Sequence, residues 1–106
     1  MTFKPYPVEK ITRKEFMAYE LARVAHRIDT YHWEAFQKAT GLSIRRIICI
    51  EDHHEALRGK FEIPELGVTL EEALEWLHLM WIRFGNDFPE DEVPPKILAA
   101  IKAYGL

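Results

Sequence analysis

A chain of 106 residues that is 48% hydrophobic reads as one small globular domain, able to bury roughly 65% of its unfolded surface. Its net charge of −3, with both signs spread along the chain, provides no basic face for a nucleic-acid backbone. The single Cys49 excludes an internal disulfide, and no uncharged apolar run approaches the roughly 20 residues of a membrane span, so a cytoplasmic protein is expected.

Residues 1–11 hold two prolines and no periodicity, which predicts an extended arm ahead of a single helical domain over 12–106. Its opening also lacks the apolar core of a signal peptide. A first helix starts at a capping box, with Thr12 as N-cap and Glu15 three residues on. Met17, Leu21, Val24, Ala25 and Ile28 give it an apolar face, widened by Phe16 and Tyr19, and Asp29-Thr30 ends it.

A second helix is predicted from Tyr31 to Thr40, anchored by Trp33 and Phe36 and stopped by Gly41, which tolerates the left-handed conformation. Ser43 caps a third, with Ile44, Ile47, Ile48 and Leu57 turned inward, that frays near Arg58-Gly59. Lys60 to Val68 is a connector with Pro64 and Gly67. A second capping box, Thr69 to Glu72, opens a helix that runs to Phe84. A last helix follows from about Pro95 to Tyr104, because proline is tolerated in a first turn. The class is all-α: a bundle of four to five helices.

The Thr69–Phe84 segment is apolar on more sides than one packed surface explains. Leu70, Ala73, Leu74, Leu77, Trp81 and Phe84 form one stripe at helical spacing. Trp76, Leu79, Met80 and Ile82 fall outside it and have the composition of an interface core. These four are the expected partner-binding residues.

Two other patterns compete. Trp33 to Ile50 resembles a helix-turn-helix, with Gly41 at the turn and Arg45 and Arg46 on the would-be recognition helix. Gln37 stands where that motif wants a small residue, and Glu51 and Asp52 would face phosphates that repel them. Glu51-Asp52-His53-His54 and Glu75-Trp76-Leu77-His78 both read Glu-x-x-His, a spacing that lets two side chains share one ion. A metal centre would use Glu51, His54 and His78. It lacks further glutamates, since Glu20 flanks the first helix's stripe and Glu75 points away from its own. Glu51 has an alternative in pairing with Arg58 or Lys60. No Gly-x-Ser-x-Gly, no glycine-rich phosphate loop and no activated surroundings for Cys49 are present, so neither an enzyme nor a cofactor is expected.

From Ile11 the chain reads Ile-Thr-Arg-Lys-Glu-Phe-Met-Ala-Tyr-Glu, and later Gly41-Leu42-Ser43 precedes Ile47 and Ile50. Residues 11–60 resemble small phage- and prophage-encoded proteins of unknown function, which share an Ile-Thr-x-x-Glu-Phe-x-x-Tyr opening and a Gly-Leu-Ser turn before an isoleucine-rich helix. Ala25-His26-Arg27-Ile28-Asp29 departs from that pattern. The resemblance implies a viral or mobile-element origin, hence residence in a host cytoplasm, and brings no functional residue with it. The expectation is a small non-enzymatic interaction protein that pairs with itself or binds, and so inhibits, another protein. A helix-turn-helix DNA regulator and a helical metal protein stand behind it.

Overall fold

The computed structural model describes residues 4–106, so the first three positions of the expected arm lie outside the described residues. Of the rest of that arm, Val8–Lys10 forms one 3-10 turn. Thr12 accepts from the Glu15 N–H while the Glu15 carboxylate accepts from the Thr12 N–H, closing the expected capping box and starting α1, Arg13–Glu20. The chain does not stop there. It widens into a π turn, Leu21–Ala25, where the His26 N–H reaches back to the Leu21 carbonyl. Arg27 then adopts φ 58°, and the Ile28 N–H donates to the Ala22 carbonyl. That closure is one residue wider than the usual left-handed helix cap.

The Asp29 carboxylate accepts from the Tyr31 N–H at 2.9 Å and holds the link in a turn, so α2 begins at Trp33 and runs to Thr40. Gly41, at φ 73°, reverses the chain without the strain a Cβ would bring. The Ser43 hydroxyl then caps α3, Ile44–Asp52. At His53 the backbone leaves helical geometry (φ −119°, ψ 26°) and restarts as α4, His54–Phe61. The predicted third helix is therefore two. Both α3 and α4 pack on α1.

The second capping box opens α5, Leu70–Phe84, and α6 spans Pro95–Tyr104. The chain thus has six α-helices among the described residues where four to five were predicted, and no strand. Tyr104 reaches across to the connector, its hydroxyl accepting from the Ile63 N–H at 3.0 Å. Among the described residues no helix is long and apolar enough to cross a membrane.

Phe16, Phe36, Ile47, Ile50, Leu70 and Leu74 make the centre of the core. Trp33, expected as an anchor beside Phe36, is 45% exposed instead. Cys49 is buried, and burial, reinforced by the Asp52 carboxylate, raises its thiol above the ordinary range. The Cα extents, 54 × 29 × 15 Å, describe a slab about two helix layers thick, given interaxial distances of roughly 8–10 Å. α1 and the π turn lie inside it, with no exposed residue from Phe16 to Ala25, while α5 lies at its surface.

Candidate functional site

α5 shows what the slab does to a helix that is apolar most of the way round. It packs on α6 and on the π turn that extends α1. Those two neighbours enclose Leu70, Ala73, Leu74, Leu77 and also Met80, which is only 5% exposed. Met80 was expected outside the packed stripe. It belongs to the core, because two flanking elements cover a wider arc than a single ridge. Trp81 and Phe84, expected inside, are only partly covered, and Trp81 stacks on the His26 ring at 4.6 Å between centroids.

Of the four expected contact residues, three remain at the surface to some degree. Leu79 is 52% exposed and Ile82 70%, and they stand three residues apart on one face. Trp76 lies beside them, half-buried against the core. Two side chains next to the strip tie α5 to its neighbours. The His78 ring donates to the Ala25 carbonyl at 2.7 Å, and Glu75 pairs with Arg27. The patch is therefore narrow: Trp76, Leu79 and Ile82, with Glu72, Glu75 and Arg83 around it.

The α2–α3 corner has its arginines committed elsewhere. The Arg45 Nε–H donates to the Lys4 carbonyl at 2.9 Å, and Arg46 pairs with Glu15 of α1 at 2.8 Å. The Arg46 guanidinium also lies 4.6 Å from the centroid of the Tyr6 ring. Tyr6, Trp33, Ile44 and Ile48 line a cleft of about 660 Å³ beside them. The two arginines thus hold the N-terminal arm against the helices, and Arg45, Glu51 and Asp52 are the exposed charges of α3.

The metal ligands do not meet. His54 bonds to Glu20, His78 is spent on a backbone carbonyl, and Glu51 is exposed. Among the described residues no group of three or more His, Cys, Asp or Glu side chains is placed to hold an ion. The expected Glu51 pairing is also not formed; Arg58 lies 3.7 Å from Glu62 instead.

Sequence reasoning missed the polar core of this region. Glu20, placed on the flank of its helix, is 2% exposed, the one buried charge among the described residues. One carboxylate oxygen meets His54 Nε2, and the other accepts from Arg23 Nη2 at 2.9 Å. The rings of Phe16 and Tyr19 close over His54 with centroids at 5.7 and 6.1 Å. Burial, reinforced by Glu51, pushes the Tyr19 hydroxyl up to about 12. A shallow cleft of about 260 Å³, lined by Tyr19, Arg23, Thr30, Glu51 and His54, opens above the pair. The Glu20–His54 pair joins α1 to α4 as a structural clamp.

Comparison with protein families, with curated proteins and with solved structures returns no match.

Proposed function

We propose that this chain is a non-enzymatic protein-interaction module, of phage or mobile-element origin, whose contact surface is the outer face of α5. The observation that carries the reading is the pair Leu79 and Ile82, large aliphatic side chains 52% and 70% exposed beside Trp76. A single exposed leucine means nothing. A contiguous aromatic-aliphatic strip with charges at its margin has the anatomy of an interface, apolar at the centre and polar at the rim. The phage-like motifs in residues 11–60 support the origin, and the commitment of Arg45 and Arg46 to the arm favours a protein over DNA as partner.

The test uses the whole chain as bait, with Leu79→Ser and Ile82→Ser combined in one variant. Both positions are exposed, so circular dichroism should be unchanged. Self-association and every specific capture made by the wild-type bait should fall together. A variant that still self-associates and captures like the wild type overturns the reading. Loss of helicity does so too, because the patch would then be core.

A further inference from the structure

We propose that the outer face of α5 docks on the same face of a second copy of this chain, the two helices running antiparallel with Leu79 at the two-fold axis. This rests on the interaction reading above and names its partner.

The strip reads Trp76-x-x-Leu79-x-x-Ile82, so Leu79 has one large apolar neighbour three residues before it and one three residues after. Turning a copy end over end about Leu79 lays Leu79 on Leu79. It also brings Trp76 level with Ile82 of the second copy. The pattern is thus its own complement, as an isologous contact requires.

The charges fall the same way. Glu72 and Glu75 lie in the N-terminal half of α5, and Arg83 lies in its last turn. In the antiparallel arrangement Glu75 is level with Arg83 of the second copy, twice over, and Glu72 lies one turn beyond. Antiparallel helix dipoles also oppose one another favourably. A parallel pairing would set glutamate on glutamate and arginine on arginine, which costs specificity as well as affinity.

Glu75 is 40% exposed even while paired with Arg27, and among the described residues Arg83 forms no ion pair and stacks over Phe84 at 5.7 Å. Both therefore have freedom to reach across the interface. The remaining condition is an uncovered face, and Leu79 and Ile82 stay exposed at the surface of α5. One face of a 15-residue helix falls at the small end of specific interfaces, so the dimer exchanges rapidly and forms at high protein concentration.

The experiment uses the full chain in sedimentation velocity, up to about 1 mM, with two charge variants, Arg83→Glu and Glu75→Lys. Each variant alone places like charges at both contact points and should weaken self-association by about tenfold. Mixed in equal amounts, they restore both pairs in a heterodimer, so association should return to the wild-type level. In addition, Leu79→Cys should form a disulfide-linked dimer under mild oxidation, since the native Cys49 is buried. A monomeric wild type at the highest concentration overturns the proposal, as does a mixture no stronger than its components. If the wild type is monomeric while the Leu79→Ser, Ile82→Ser bait loses a captured protein, the second copy is the wrong partner and the interaction reading stands.

Discussion

Replacing His54 with alanine should destabilise the protein at least as much as replacing Glu20, although His54 is the more exposed of the two. The side-chain exposures are 25% and 3%. When Glu20 is cut to alanine, His54 and Arg23 lose an acceptor, but both are partly open and can turn to water. When His54 is removed, the carboxylate stays in the interior with Arg23 as its one remaining partner. A hydrogen bond to a charged group is worth about 1.5–3 kcal/mol, and a stranded buried charge costs more. The lost ring contacts with Phe16 and Tyr19 add about 0.5–1.5 kcal/mol. Discounted for the open side of the site, His54→Ala should cost about 2–3 kcal/mol, against about 1–3 kcal/mol for Glu20→Ala. The double variant should fall short of the sum by about 1–3 kcal/mol, because both single changes remove the same bond. Urea denaturation of the four proteins measures this, with midpoint shifts of about 1–2 M for the costlier variants. His54→Phe serves as control, keeping a ring while losing the donor. Additivity within about 0.5 kcal/mol would show that the two residues are neighbours without coupling, and would refute the clamp.

Three further outcomes follow from burial and capping. Met80→Ala should cost about 2–5 kcal/mol and Leu79→Ala less than about 0.5 kcal/mol, so equal thermal shifts for the two would contradict the division of α5 into covered and open sides. Tyr19 holds its proton more tightly folded than unfolded, so its contribution to stability is complete below pH about 10 and lost as pH rises through about 12. Phenolate absorbance that is nearly complete for every tyrosine by pH about 11, with helicity intact, would contradict that burial. Thr69→Ala should cost about 1 kcal/mol and Thr69→Ser much less, since the hydroxyl accepts from the Glu72 N–H at 3.1 Å; identical melting of both variants would remove the cap's role.

The features legible in the sequence are those whose chemistry is local. Thr12 with Glu15 and Thr69 with Glu72 announce their helices because donor and acceptor sit three residues apart. Gly41 and Gly105 end theirs because only glycine adopts positive φ without cost. The break at His53 and the π turn after Glu20 carry no glycine or proline to mark them. The break lets α3 and α4 both pack on α1, and the π turn packs on α5, contacts that a helical wheel does not contain. Glu20 is the sharpest case: its burial depends on His54, 34 residues away. On α5 the wheel gave the angular order of the side chains correctly. It could not say which arc would be covered, and so it exchanged Met80 with Trp81 and Phe84.

The π turn also fixes how the chain tolerates change in length. Just before it, Glu20 is aimed at α4; at its last residue, the Ala25 carbonyl is aimed at His78 on α5. The one extra residue it carries is the offset between those two aims. A one-residue deletion within Leu21–Ala25 would restore an ordinary α-helix and rotate everything beyond it by about 100° relative to Glu20. The deletion could keep the lock to α4 or the lock to α5, but not both. This short stretch therefore sets the register between the two halves of the molecule, and substitutions should be accepted there far more readily than insertions or deletions.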